Sequence, residues 1–261
     1  MKKNIIYLYN DLGVSIESIK HTMYTLKQIV LPNYKIHFIS ASEIIENKWS
    51  NQAALLIIPG GRDIYYAKQL NGKGNKAIKD YVEIGGNYLG ICAGAYYGSG
   101  FVEFDKDGSL EVLGERELAF FPNKTIGPVL AKYNYDDNSG VRAALIKLAI
   151  DDNSLSKKIM IYYNGGSYFV DTQLYKNINT LAYYQFLDQS VLPAVLKIKY
   201  NKGNVILSAV HFEYSTKLLN MNDKFHAQIV SELEQSEFDK IKFAGVIFKY
   251  LGLSTRHKVH L

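Results

Sequence analysis

The stretch Gly86-Asn87-Tyr88-Leu89-Gly90-Ile91-Cys92-Ala93-Gly94-Ala95-Tyr96 constrains this chain more than any other, because an apolar run ends there on the only cysteine, inside a G-x-C-x-G pattern. Small residues at that spacing predict a buried strand that turns sharply into a helix. Glycines flank the cysteine because a Cβ on either side would clash with the strand arriving and the helix leaving. Such a corner exposes the sulfur. The first N–H groups of the helix after it have no partner within the helix and carry partial positive charge, surroundings that in general favour thiolate over thiol. Ala93, first in line, is placed to hold a negative oxygen on a carbonyl carbon under attack. A lone cysteine also serves elsewhere as a small buried hydrophobe; the glycine bracket argues for the elbow.

A length of 261 residues with 48% hydrophobic content predicts one α/β domain spanning residues 1–261 with a sizeable core. No run approaches the ~18 apolar residues of a membrane span. The short apolar stretch Ile5 to Tyr9 after Met1-Lys2-Lys3 reads as a first strand rather than a signal peptide. A single cysteine allows no intramolecular disulfide and fits a reducing cytoplasm. The net charge of +5 comes from scattered lysines, with arginine only at Arg62, Arg116, Arg142 and Arg256. Nucleic acid would call for a basic stripe, which the chain lacks, so neither nucleic acid nor membrane is expected as a partner.

Taken in order, the patterning alternates strand and helix. Asn4 to Tyr9 is apolar and ends at the turn signal Asn10-Asp11-Leu12-Gly13. Ser15 then caps a helix whose apolar face is Ile16, Ile19, Met23, Leu26 and Val30. Tyr34 to Ile39 is a second strand, Ser42 caps a short helix through Glu46, and Ala53 to Ile58 is a third strand that runs into Pro59-Gly60-Gly61-Arg62-Asp63. In an open parallel sheet the loops at the carboxyl ends of the strands form the ligand crevice, so Gly60 and Gly61 belong on the same rim as Cys92. Their N–H groups would supply the other half of an oxyanion hole; an ordinary glycine turn is the alternative. Lys76 to Glu83 reads as a helix closed by Gly85-Gly86.

The middle of the chain is strand-rich. Leu110–Val112, Leu118–Phe121, Ile126–Tyr133, Arg142–Ile150 and Lys158–Tyr163 predict an antiparallel excursion on the edge of the α/β core. Thr180–Leu187, Ala194–Tyr200 and Val205–Val210 are further strands, the last two joined by the hairpin turn Asn201-Lys202-Gly203-Asn204. The final strand ends in His211-Phe212-Glu213. A spacing of two places His211 and Glu213 on one side of an extended chain, where a carboxylate can orient an imidazole for proton transfer. Asp223–Leu233 and Ser236–Leu251 close the chain as helices, the second starting from a capping pattern at Ser236 and Asp239 and carrying Phe238, Ile241, Val246 and Tyr250 toward a core.

A cysteine on a G-x-C-x-G elbow, a glycine pair after the preceding strand and a late His-x-Glu resemble the class I glutamine amidotransferase superfamily. Within it the chain is most similar to the amidotransferase-like N-terminal domain of biotin–protein ligases, which also occurs as a stand-alone bacterial protein. That likeness runs through Tyr9-Asn10, Gly13, Ser18 to His21, Pro59 to Asp63, Gly90 to Tyr96, Val102 to Phe104, Phe120 to Pro122, Tyr163 to Gly166 and His211 to Glu213. It implies a flavodoxin-like α/β open sheet, mostly parallel, with helices on both faces. It further implies a thioester route in which Cys92 attacks an amide carbonyl, Ala93 with Gly60 or Gly61 holds the oxyanion, His211 moves the proton and Glu213 orients His211. No cofactor or metal is called for. A small-molecule substrate or ligand is expected, with a partner protein left open.

Two departures from the superfamily stand out. Tyr96 replaces a glutamine and Phe212 a proline, so the pocket for a glutamine side chain does not carry over. Neither a synthase domain nor the biotin-ligase catalytic domain, with its arginine- and glycine-rich nucleotide loop, has a counterpart in the sequence. Ala93 also disfavours the peptidase- or chaperone-like relatives, which place histidine after the nucleophile. Two functional classes stay open: an amide hydrolase or amidotransferase component, and a ligand-binding or regulatory module. Tyr65, Tyr66, Tyr96, Arg116 and Asn164, in loops or turns near the rim, are the candidates for lining the site.

Overall fold

The computed structural model describes residues 3–256; residues 1–2 and 257–261, the ends of the span assigned to one domain, lie outside the described residues. The first half of the chain alternates as its patterning predicts. β1 (Ile5–Tyr9) leads to α1 (Ile16–Ile29), whose cap Ser15 accepts from Ser18 N–H. β2 (Lys35–Ile39) leads to α2 (Ala41–Glu46), and here the cap is Ser40 rather than Ser42, because Glu43 three residues on closes a capping box with it. β3 (Ala53–Ile58) is followed by α3 (Asp63–Leu70), a helix the patterning did not announce, and by α4 (Lys73–Glu83). β4 (Asn87–Ile91) then meets α5 (Ala93–Tyr97) at Cys92.

The second half is built of β5 (Ser99–Phe104), β6 (Val112–Glu115), β7 (Phe121–Gly127), β8 (Arg142–Leu148), β9 (Lys158–Tyr163), β10 (Tyr168–Phe169), β11 (Ile178–Gln185), β12 (Val191–Tyr200) and β13 (Gly203–Ser208), closed by α6 (Lys224–Gln235) and α7 (Glu237–Tyr250). Nine strands form the main sheet in the order β2-β1-β3-β4-β13-β12-β11-β8-β9. The five from β2 to β13 are parallel and the remaining four run antiparallel. The order reverses at β1, with β2 on one side and β3 on the other, which opens a crevice at the carboxyl ends of β1 and β3.

A continuous apolar strand is needed where helices cover both faces of a sheet, and β3 meets this need with all six residues buried. Leu55 and Ile57 belong to the core that includes Leu26 and Ile29 of α1 and Phe243 and Ile247 of α7. Leu56 and Ile58 belong to the opposite one, with Ile44, Leu70 and Ile78 from α2, α3 and α4. Each such buried aliphatic side chain contributes about 1.5–3 kcal/mol.

The strand-rich middle does not form one excursion. β8, β9, β11 and β12 extend the main sheet, whereas β5, β6, β7 and β10 make a separate four-stranded sheet, order β10-β7-β5-β6. Phe121 and Phe169 of that sheet enter the core behind β4 and β13. The strand expected over Ile126–Tyr133 stops at Gly127, because Pro128 has no N–H for a ladder and Val129 and Leu130 donate to the Tyr163 hydroxyl at 2.7 and 3.0 Å. In α7, Phe238 is 71% exposed rather than buried. The Ser236 hydroxyl makes no cap bond there; it accepts from Met160 N–H at 2.9 Å and ties the helix start to β9.

Candidate active site

The elbow takes its shape from two close backbone approaches. A Cβ on Gly90 would lie 2.3 Å from the Gly94 carbonyl oxygen, and one on Gly94 would lie 2.0 Å from the Ile58 carbonyl oxygen of β3. Both glycines are therefore required, the second because the helix start presses on the neighbouring strand. Between them Cys92 is held at φ 49°, ψ −106°, a conformation an L-residue keeps only when its surroundings impose it. Its N–H donates to the Ser208 carbonyl of β13 at 2.7 Å, and its own carbonyl accepts from Ala95 and Tyr96 N–H. Cys92 is buried, 8% exposed as a residue, and its thiol donates to the Asn164 carbonyl at 3.6 Å.

His211 and Glu213 come together, but not as alternate residues of a strand. β13 ends at Ser208, and the chain then turns, with His211 N–H donating to the Tyr162 carbonyl at 3.0 Å and Tyr214 N–H to the His211 carbonyl at 3.4 Å. His211 Nδ1 lies 2.8 Å from Glu213 Oε1, with the two side chains only 5% and 1% exposed. Burial alone would drive the imidazole neutral. The Glu213 carboxylate and then the Cys92 sulfur outweigh it and push His211 up to about 10. With Nδ1 committed to Glu213, Nε2 is the nitrogen left to serve the sulfur.

The turn is clamped by the helices on that face. Thr25 Oγ1 of α1 donates to the Glu213 carbonyl at 2.7 Å, Ser215 N–H donates to His21 Nδ1 at 3.0 Å, and Lys240 Nζ of α7 donates to the Tyr214 carbonyl. None of these three partners was foreseen as part of the site. His21 lies in a stretch that carries the family resemblance, but nothing local marks it as a support.

Of the glycine pair, Gly60 is not a free donor, since its N–H is taken by Ser18 Oγ at 2.9 Å. Gly60 is small because His211 comes close: a Cβ there would be 3.0 Å from His211 Cε1. Gly61, at φ +155° and tight against the Gly13 carbonyl, and Ala93 are the rim residues whose N–H groups donate to nothing among the described residues. Tyr66 braces this loop by donating to the Pro59 and Gly60 carbonyls.

A cleft open to solvent is lined by Cys92, His211, Gly61, Ala93, Tyr96 and Asn164 among others. Tyr96 is buried and donates to the Gly165 carbonyl at 3.0 Å, so it braces the loop that carries Asn164. Tyr65 lies outside the cleft, in a shallower groove beside Arg62. Arg116 stands behind the wall, its Nε donating to Asp63 Oδ2 at 2.8 Å; burial raises the Asp63 carboxyl, and the Arg116 guanidinium opposes that rise. Arg62, unassigned from the sequence, rims the cleft with its guanidinium 3.6 Å from the centre of the Tyr135 ring. Among the described residues no group of three or more His, Cys, Asp or Glu side chains could hold a metal ion.

The sequence matches the family model described as biotin-protein ligase, N terminal, over residues 4–260. It is 36% identical over 251 residues to the biotin–protein ligase of Schizosaccharomyces pombe, covering 95% of this chain and 38% of that one. The chain thus spans well under half the length of that relative. It is 34% identical over 228 residues to an uncharacterized protein of Chlamydia muridarum, covering 86% of each. In fold it is similar to a ThuA-like protein from Bacteroides uniformis, with a TM-score of 0.54 at 8% identity over 95% of this chain and 91% of the other. A GMP synthase component from Thermoplasma acidophilum follows, with a TM-score of 0.50 at 12% identity over 95% and 99%.

Proposed function

The chain belongs to the biotin–protein ligase N-terminal family, and on that premise we propose that its cysteine elbow breaks or exchanges a small-molecule amide through a thioester. The observation that carries this reading is the buried pair His211–Glu213, 2.8 Å apart, whose imidazole lines the cleft that holds Cys92. Sequestering a carboxylate and an imidazole from water costs several kcal/mol unless each answers the other. A pair used only for packing would be replaced by apolar residues without loss.

In the proposed cycle Cys92 enters as the thiolate, its proton being the one held on His211; the sulfur attacks the carbonyl carbon, and the oxygen, now negative, takes hydrogen bonds from Gly61 and Ala93 N–H. His211, protonated by virtue of Glu213, gives its proton to the nitrogen as the C–N bond breaks and the amine leaves. Water then attacks the thioester while His211 takes its proton, and the carboxylic acid departs with Cys92 restored. Gly60 has no share in this, and Tyr96 supports the loop under the substrate. Since the chain matches 38% of the S. pombe ligase, biotin attachment by that whole protein is no part of the proposal.

A second reading, a ligand-binding or regulatory module, is favoured by the burial of Cys92 and by the thiol's bond to the Asn164 carbonyl, which directs the sulfur at protein. Intact-mass spectrometry after incubation with a panel of activated esters and amides separates the two. The enzyme reading expects a single acyl adduct on Cys92 that decays with time and is missing in Cys92→Ala. Turnover that survives Cys92→Ala, or an unmodified protein with every acyl donor, would leave only the module.

A further inference from the structure

Beside the cysteine cleft runs a second groove, and the two share Ser15, Tyr133, Tyr135, Asn164 and Tyr214 as common walls. The protein carries a net charge of +5, yet among the described residues neither lysine nor arginine lines this groove, whereas Glu17, Asp136 and Asp137 do. Lys20 pairs with Glu17 at 3.3 Å from outside the lining. Asp136 and Asp137 have no cation within 4 Å among the described residues. A concave wall bearing charge of one sign concentrates the potential inside it.

Acidic residues on a loop would say little by themselves, but the groove also has buried polar atoms that nothing among the described residues satisfies. His226 is 9% exposed; its Nε2 meets the Tyr162 hydroxyl at 3.2 Å and its Nδ1 has no partner. His21 is 1% exposed; its Nδ1 accepts from Ser215, so Nε2 carries the hydrogen, and that N–H lacks a partner, with Glu17 Oε2 the nearest carboxylate oxygen at 3.8 Å. Asn164 Oδ1, on the wall common to both spaces, is likewise buried and unpaired. Buried polar groups left this way are completed by a ligand or by ordered water.

The groove lies on the histidine side of the site. Tyr162 and Tyr214, which line it, pack against His211 with ring centres 5.7 and 4.7 Å away. In an amide cleavage that is the side on which the departing nitrogen receives its proton. We propose that this groove is the leaving-group subsite, built for an aliphatic amine that carries a second, protonated amino group. The distal ammonium sits among Asp136, Asp137 and Glu17, while Asn164 Oδ1 accepts from the N–H of the scissile amide. The substrate class is then the N-acyl diamines and their longer polyamine analogues. This assignment rests on the reading of Cys92 as nucleophile.

The test uses the full chain as Cys92→Ala, which binds without turnover, and two probes that differ by one charge: N-acetyl-1,4-diaminobutane and its neutral counterpart N-butylacetamide. Calorimetric titration should show the charged probe binding about tenfold or more tighter, with the preference shrinking as salt rises from about 50 to about 500 mM. It should fall most of the way to parity in a background that also carries Asp136→Asn and Asp137→Asn, two exposed positions whose replacement leaves the core intact and Glu17 as the one carboxylate of the three. Equal binding of the two probes, tighter binding of the neutral one, or a preference undiminished by the double replacement overturns the subsite. A failed nucleophile is read separately, as the absence of any acyl adduct on the unmodified protein.

Discussion

Replacing Glu213 by glutamine removes one charge while keeping the shape of the side chain, and the consequence for His211 can be worked out from the 2.8 Å separation of Nδ1 and Oε1. At that distance and an effective dielectric constant of about 20, two unit charges attract by about 6 kcal/mol, or about 4 pH units. Burial acts in the opposite direction, the Cys92 sulfur adds to the rise, and together they push the native imidazole up to about 10. Glu213→Gln should therefore bring His211 down to its ordinary 6.5 or below, since burial is then opposed only by the Cys92 sulfur, the smaller of the two raising influences. Heteronuclear NMR of the imidazole nitrogens, followed from pH 5 to pH 11, reads the protonation state of each ring directly. His211 should stay charged through pH 8 in the native chain and be neutral at pH 7 in Glu213→Gln. An imidazole that remains protonated above pH 8 without Glu213 would refute the claim that the carboxylate sets its charge.

Further expectations concern stability. His21 is held neutral, pushed down to about 3 first by burial and then by Lys20, His211, Lys240 and His226; its folded value lies below its unfolded one, so the unfolded state binds the proton more readily. Urea titrations should thus show stability falling as pH drops from about 6.5 toward about 3, and less steeply in His21→Asn; an unchanged slope would exclude His21 as the cause. Gly94→Ala forces a methyl to 2.0 Å from the Ile58 carbonyl and should destabilise by more than ~2 kcal/mol in the same assay. Gly245→Ala in α7 meets nothing within 4 Å and should stabilise by about 0.5–1 kcal/mol; equal effects at the two sites would contradict the packing account. Arg116→Met strands the buried Asp63 carboxylate and should cost about 3–5 kcal/mol, most of it restored when Asp63→Leu is added.

Much of the site was legible because its signals are local. The glycine bracket around Cys92 reports clashes between atoms a few residues apart and with the next strand, and a strand ending in Pro59-Gly60-Gly61 announces its own loop. The pair His211 and Glu213 was also visible, though for a reason the structure corrects: a turn beyond β13 joins them, not the pleat of a strand. A spacing of two fits both geometries. What was hidden depends on partners distant in sequence. Ser18, 42 residues before Gly60, takes that glycine's N–H, and no feature of the α1 pattern distinguishes this serine from a solvated one. Arg116 looked like a rim residue, yet Asp63, 53 positions away, draws it behind the wall. The division of the middle strands into two sheets is likewise nonlocal, since β5 pairs in parallel with β7 and only Pro128 marks where that ladder must stop.

The central claim is that Cys92 and His211 act together, and the most direct test is the rate at which iodoacetamide alkylates Cys92 between pH 6 and pH 9, in the native chain and in His211→Ala. The account predicts a native thiol that reacts faster at pH 6 than a free-cysteine peptide and loses that advantage, by about tenfold or more, when the imidazolium is removed. A thiol equally sluggish in both proteins across the range would contradict it and leave the elbow as a structural corner.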